Sequence, residues 1–325
     1  VTMLKIKNML VPTHKLIQQP FLRKVRCFSM GSRIILLQKS NSFDQDKHIV
    51  AVPIQTPFVP DRAGRLPLNV VPQLIEVASF HLQDQSVGQL FANLAKKGLL
   101  SVAKAQEIKI FPGFYKHWKP NDNLQIQCQL HDVGTKSYNL QFDIYDETNT
   151  ITLCRNIRSI VVCDLKMKPQ PIPEKTLDIL KSVAFHKERY FIPPGFKSKS
   201  DDTYKTSTIV KPSDLDVYYH VNQANYLGFM LDAAVSAARS GTYKSLKQDI
   251  AFASVDQITL DYSRELCLDE SVEIETWEDN EHPMKVCFEM SSGSKIAFHG
   301  SILLHEPLLK LSDEIKQKFP RAQEF

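Results

Sequence analysis

Ser213-Asp214-Leu215-Asp216-Val217-Tyr218-Tyr219-His220-Val221-Asn222-Gln223-Ala224-Asn225-Tyr226 is the stretch on which the reading of this chain turns. Two carboxylates, a His four residues after the second and an Asn two further on stand in a loop that runs straight into a helix. That helix is predicted from about Asn222 to Ala238, with Asn222 as its N-cap and Gly241 as its stop. Free backbone N–H groups and the dipole at a helix N-terminus favour a developing oxyanion, so acid, base and donors converge where charge could be held. The same residues also fit an ordinary Asp-rich turn with an Asn cap. Tyr226, Phe229, Met230, Ala233, Ala234 and Ala237 give the helix a broad apolar face, and its alanines permit close approach of a sheet.

Working outward, a short strand is predicted at Thr206 to Val210 before the loop. Strands follow the helix at Gln257 to Arg264, Ser271 to Trp277, Met284 to Met290 and Lys295 to His305. The first half shows a similar order of signals. Helical spacing covers Val71 to Leu82 and Val87 to Leu100, and period-two alternation runs through Leu124 to Leu130 and Tyr138 to Ile144. A long strand is predicted from Ile151 to Val162. Phe114-Tyr115-Lys116-His117 before Asp122 matches Tyr262-Ser263-Arg264-Glu265 before Asp269 in pattern, an offset of about 148 residues. The reading is an α+β chain in which one unit, a helix followed by an antiparallel meander, is duplicated and each curved sheet wraps its helix. The expected organisation is a leader over 1–43, a first unit over 49–165 and a Pro- and Lys-bearing connector over 166–202. A second unit over 203–308 and a tail over 309–325 complete it.

The chain lacks a Gly-x-Ser-x-Gly elbow, a Gly-x-x-x-x-Gly-Lys phosphate loop, a Gly-x-Gly-x-x-Gly turn and a His-Glu-x-x-His zinc helix. These absences argue against serine-elbow hydrolases, loop-type nucleotide triphosphatases, classical dinucleotide enzymes and zincins. His117, His131 and His282 read as solvated surface groups. No apolar stretch approaches the ~20 residues a membrane helix needs. Six Cys without Cys-x-x-Cys pairs read as reduced thiols.

The stretch Asp214-Leu215-Asp216-x-x-x-His220-Val221-Asn222-x-x-x-Tyr226 resembles the active-site loop of hotdog-fold thioesterases, most closely the plant-type acyl-acyl-carrier-protein (acyl-ACP) thioesterases. Leu260-Asp261-Tyr262-Ser263-Arg264-Glu265 is similar to a second segment of that family, whose Glu belongs to the catalytic set. The resemblance covers roughly Gln55 to Glu306. It implies two tandem hotdog units, the first accommodating the acyl chain and the second carrying catalysis by Asp216, His220 and Glu265. Tyr218, Asn222 and Tyr226 are then substrate-binding candidates. The chain departs from the family pattern where Tyr218 replaces an Asn and where Leu266 replaces a Cys, with Cys267 one residue later.

The activity this implies is hydrolysis of an acyl-CoA or acyl-ACP thioester to fatty acid and thiol, with Glu265 as general base or nucleophile and Asp216 orienting His220. Neither a metal nor an organic cofactor is expected. A hotdog enoyl-thioester hydratase or dehydratase stays open, as does a non-catalytic acyl-thioester-binding protein, for which Tyr218 speaks. In the first half the matching loop, Asp61 to Asn69, has no His, so one site per chain is expected, with Arg62 and Arg65 read as surface charge.

The net charge of +4 raises the question of a nucleic-acid partner, and its distribution answers it. Val1 to Phe43 holds eight basic residues and no acidic one, which leaves 32 basic against 36 acidic in the remainder. A basic, acid-free start with scattered Leu, Ile and Phe reads as a transit peptide for the mitochondrial matrix, and Arg26-Cys27-Phe28-Ser29 resembles a matrix-peptidase cleavage site. Nucleic acid is therefore not an expected partner. Pairing of two chains as a homodimer stays open.

Overall fold

The computed structural model describes residues 28–30, 33–37, 42–44, 49–55, 60–82, 93–118, 122–196, 198–216 and 218–305. Most of the expected leader, the whole tail over 309–325 and residues 83–92 of the second predicted helix lie outside these. Thirteen strands and four α-helices are named among them. In chain order they are β1 (Phe28–Met30), β2 (Arg33–Leu37), β3 (Ser42–Asp44), β4 (Ile49–Gln55), α1 (Val70–Leu82), β5 (Leu100–Ile110) and α2 (Gly113–Lys116). Then come β6 (Asn123–Val133), β7 (Ser137–Tyr145), β8 (Thr152–Cys163), α3 (Glu174–Val183), β9 (Tyr204–Ile209), α4 (Gln223–Ser240) and β10 (Val255–Tyr262). The last of the described elements are β11 (Ser271–Glu278), β12 (Lys285–Ser292) and β13 (Lys295–Leu304).

All the strands pair antiparallel in one large sheet, β1-β2-β4-β6-β7-β8-β5-β10-β13-β12-β11-β9, with β3 beside β4. The centre is the β5–β10 pair, in register from Gln257 opposite Lys109 to Asp261 opposite Ala105. Outward from it the order is β8, β7, β6, β4 on one side and β13, β12, β11, β9 on the other. Helix α1 lies against β4 and β6, helix α4 against β9 and β11, and the two helices touch each other.

The apolar periodicities explain this burial. Leu124, Ile126, Cys128 and Leu130 point inward from β6, and Val70, Val71, Leu74, Ile75, Val77 and Ala78 cover the buried side of α1. On α4 the small residues Ala233, Ala234 and Ala237 are buried. Gly300 of β13 sits beneath Met230, and a Cβ there would stand 2.8 Å from the Met230 sulfur, so the glycine lets helix and sheet meet.

Among the elements that escape the sequence patterns are β4, β5 and α3. The predicted helix to Leu100 stops at Gly98, which takes φ +73°, and β5 begins at Leu100. Only Gln106, Ile108 and Ile110 of β5 alternate inward, while Lys104, Glu107 and Lys109 face out, so its apolar rhythm is short. Strand β4 runs through Pro53, a residue that reads against a strand, and α3 stands inside the Pro-bearing connector.

The connector is tied down rather than loose. Phe185 N–H donates to the Leu130 carbonyl and His186 N–H to that of His131, extending β6. The buried Asp132 carboxylate pairs with Arg189 and accepts from Asn139 Nδ2 at 2.8 Å. His131, expected at the surface, is instead buried, its Nδ1 2.8 Å from Asp132 and its ring 4.3 Å from that of His186. Arg62 and Arg65 also depart from the expectation of free surface charge. Arg62 binds both carboxylate oxygens of Asp249, whose side chain is 2% exposed, and Arg65 donates to the Ala253 carbonyl at 2.9 Å. These arginines join the loop of the first half to the second half.

Removing the Arg62 side chain leaves Asp249 buried without its counter-charge. Arg62→Ala is expected to cost about 1–3 kcal/mol, read as a lower denaturation midpoint with an unchanged m-value, and Arg62→Lys is expected to recover part of it. Burial alone would raise the Asp132 carboxyl, but hydrogen bonds from His131 and Asn139, the Arg189 charge and the Tyr190 amide together hold it below the usual range. A depressed folded-state value means that this stabilisation is present above the ordinary Asp range and is lost as pH falls through the folded value. The stability difference between wild type and Asp132→Asn is therefore expected to shrink below about pH 4, measured by thermal melts across pH.

Candidate active site

The loop between β9 and α4 is built by its own backbone. A 3-10 turn, Pro212–Asp214, is closed by Lys211 N–H donating to Asp214 Oδ2 at 2.8 Å. Leu215 and Val221 then form an antiparallel bridge, and Asp216 N–H donates to the His220 carbonyl at 2.8 Å. The Asp216 carboxylate accepts from Tyr218 N–H at 2.8 Å and from His220 N–H at 3.3 Å. Asp in this position mimics a backbone turn with its side chain. Tyr219 completes the reversal at φ +64°, a left-handed conformation that an interlocked loop must hold in place.

This hairpin lies along the segment after β10. Val221 N–H donates to the Leu266 carbonyl at 2.9 Å, and His220 bridges Cys267. Leu266 is fully buried, and Arg264 donates to the Glu265 carbonyl at 3.0 Å while pairing with Glu270 at 2.8 Å. With both backbones fixed, His220 Nε2 stands 3.2 Å from Glu265 Oε2. The His220 side chain is 35% exposed and that of Glu265 50%, so the pair is open to a substrate.

Asn222 caps α4 as the sequence predicts. Its Oδ1 accepts from Ala224 N–H at 2.9 Å, and its N–H donates to the Asp214 carbonyl at 2.8 Å. Its Nδ2 donates to Glu76 Oε2 of α1 at 2.7 Å, a contact across 146 residues. Gln223 accepts at Oε1 from Gln106 of β5 at 2.9 Å, and the same Gln106 nitrogen donates to the Tyr262 hydroxyl at 3.0 Å. The start of α4 is thus held from both halves of the chain.

Of the six site residues expected from the sequence, the structure brings His220 and Glu265 into direct contact and places Asp216 at the root of the same hairpin. Tyr218 sits at its tip, 64% exposed. Tyr226 is 3% exposed, with its ring edge-on to Tyr262 at 5.3 Å and its hydroxyl bonded to the Leu266 backbone. Asn222 has both ends of its amide engaged by the protein. Cys267 beside them has its thiol pushed up by burial and by the Glu270 and Glu265 carboxylates, the reverse of what a thiolate nucleophile needs. Glu76 and Gln106 were not legible, being single polar residues in apolar or mixed elements of the other half.

Among the described residues no group of three or more His, Cys, Asp or Glu is arranged to hold a metal ion, and no helix is long and apolar enough to cross a membrane.

Residues 197–301 match the model of the acyl-ACP thioesterase C-terminal domain, a span that contains Asp216, His220 and Glu265. No curated protein matches the chain by sequence. Among solved structures, an acyl-ACP thioesterase from Bacteroides thetaiotaomicron superposes with a TM-score of 0.64 at 17% identity, over 81% of this chain and 100% of that one. The 12:0-ACP thioesterase from Umbellularia californica gives 0.62 at 15% identity, over 78% of this chain and 97% of that one. Residues 197–301 are therefore similar to the acyl-ACP thioesterase C-terminal domain, within a hotdog-type fold similar to that of solved acyl-ACP thioesterases.

Proposed function

We propose that the chain hydrolyses fatty acyl thioesters, acyl-ACP foremost and acyl-CoA as the related substrate, at a single site formed by His220, Glu265 and Asp216. The observation that carries this reading is the 3.2 Å approach of His220 Nε2 to Glu265 Oε2 beside the N-terminus of α4, inside the matched domain. The fold is read as two tandem hotdog units, 49–165 and 203–308, joined by the connector over 166–202. The mirrored strand order about β5 and β10 supports that division, and the first loop, without a His, supports one site per chain.

In the proposed reaction Glu265 takes a proton from water as the water oxygen bonds to the thioester carbonyl carbon. The carbonyl oxygen becomes negative and faces the Gln223 N–H at the N-terminus of α4, where the dipole favours it, the Ala224 and Asn225 N–H groups being held by Asn222. Collapse breaks the C–S bond, and the imidazole of His220, in contact with Glu265, passes the proton to the departing thiolate. Asp216 acts through the backbone, since its carboxylate grips the His220 and Tyr218 amides. Tyr226 supports the other wall by holding the Leu266 backbone. No step requires a metal or cofactor.

Thiol release from a panel of acyl-ACP and acyl-CoA substrates tests the reading, with enoyl absorbance followed in parallel. Hydrolysis without enoyl loss is expected, and enoyl loss without thiol release would turn the assignment to hydration. Glu265→Gln and His220→Ala are each expected to lower kcat by more than ~100-fold. Asp216→Asn keeps a carbonyl oxygen for the same two amides, so its loss is expected to be about tenfold or less, with Asp216→Ala well below it.

The basic, acid-free segment over 1–43 supports a further part of the proposal, action in the mitochondrial matrix. A fluorescent reporter fused behind these residues is expected to be imported in a potential-dependent way. Cytosolic retention would remove that part alone.

A further inference from the structure

The sequence motifs place the reaction wholly in the second half of the chain, yet the cap of α4 is gripped from the first. Glu76 lies in the middle of α1, and its Oε2 accepts from Asn222 Nδ2 at 2.7 Å. The orientation of that amide is not free. Ala224 N–H needs an acceptor and has Oδ1, which leaves Nδ2 to face the carboxylate. Asn222 is itself 6% exposed, so an unpaired Nδ2 there would be a buried donor without a partner.

The charge on Glu76 is also placed rather than incidental. Arg158 of β8 is buried; its Nη1 reaches Ser79 Oγ at 3.3 Å, while its Nε and Nη2 have no hydrogen-bond partner. Glu76 is the carboxylate whose field it feels. From the remaining elements Asp216 and Tyr218 of the loop and Tyr262 of β10 also face Glu76. A buried guanidinium steers the carboxylate, and the carboxylate steers the amide that closes the first turn of α4 two residues after His220.

We propose that Glu76 is a positioning residue for the hydrolytic site, supplied by the first half of the chain and acting through the Asn222 side chain on the N-terminal turn of α4 and on the hairpin that carries His220. This rests on the thioesterase reading for its kinetic consequence but not for its structural one. Glu76 orients the turn that presents the Gln223 N–H to the oxyanion and does not itself touch substrate. The first half is then part of the catalytic apparatus as well as a wall for the acyl chain.

The test uses the full chain with Glu76→Ala, Glu76→Gln, Asn222→Ala and the Glu76→Ala/Asn222→Ala pair. Glu76→Ala is expected to lower kcat by about tenfold or more with little change in KM, because a shift of the α4 N-terminus and its Gln223 N–H weakens the transition state more than substrate binding. Glu76→Gln, which keeps an oxygen for Asn222 Nδ2, is expected to recover most of that loss. In the Asn222→Ala background the further effect of Glu76→Ala is expected to vanish, since the two act along one path. Independently of turnover, hydrogen exchange of the 220–226 amides is expected to speed up in Glu76→Ala while β11 to β13 stay protected. Should Glu76→Ala not fold, Glu76→Gln and Asn222→Ala carry the exchange measurement. Wild-type exchange rates over 220–226 in every folded variant, or additive losses in the double variant, would overturn the proposal. Absence of thioesterase activity in the wild type would instead refute the functional reading and leave the exchange result to decide the role of Glu76.

Discussion

The antiparallel pairing of β5 with β10 is the constraint from which the rest of the molecule follows. Each half brings one unsatisfied strand edge, and joining them buries both rows of backbone N–H and C=O groups at the centre of the sheet. Because the strand order mirrors about that line, α1 and α4 are brought side by side. A different register would separate Gln106 from Gln223 and Glu76 from Asn222. The site therefore inherits its geometry from a contact made by residues that take no part in its chemistry.

What the sequence discloses follows from where its signals are local. The Asp214 to Tyr226 loop and α4 are legible because a cap, a stop at Gly241 and a 3.6-residue apolar face all lie within one short stretch. Glu265 is legible only through resemblance, and its closeness to His220 depends on the Val221–Leu266 and His220–Cys267 backbone contacts. Strand β5 is illegible for a physical reason. Its outward residues are charged and partnered, Lys104 with Asp261 and Glu107 with Tyr190, so only a short apolar row is left to reveal a central strand. His131, Arg62 and Glu76 share one cause. Each is a polar residue whose partner lies more than fifty residues away, or whose burial is imposed by such a partner, and no local window contains that information.

The connector shows how a Pro-rich segment can still be structural. Tyr190 bonds Glu107 on the outer face of β5, Phe196 stacks edge-on to Trp277 at 4.8 Å, and Arg189 closes on Asp132. These anchors lie on both sides of the central pair, so the segment spans the seam as well as linking the halves in sequence. Together with Arg62–Asp249 they resist separation of β5 from β10, a motion that would carry Glu76 away from Asn222.

The departure at Tyr218 bears on how the carbonyl of a thioester would be polarised. Position 218 serves the loop through its backbone N–H, which Asp216 accepts, so exchanging a side-chain amide for a phenol leaves the hairpin intact. Asn222 cannot take over as a free amide, because Glu76 and Ala224 N–H already occupy both of its ends. The Tyr218 ring is exposed at the hairpin tip, where it feels the charges of Asp216 and Glu76. In the proposed reaction the burden of stabilising the oxyanion falls on the Gln223 N–H and the dipole at the head of α4, whose aim is fixed by the Asn222 cap. That shift gives the rigidity of the cap, and hence Glu76, more influence on turnover than it would have beside a mobile side-chain donor.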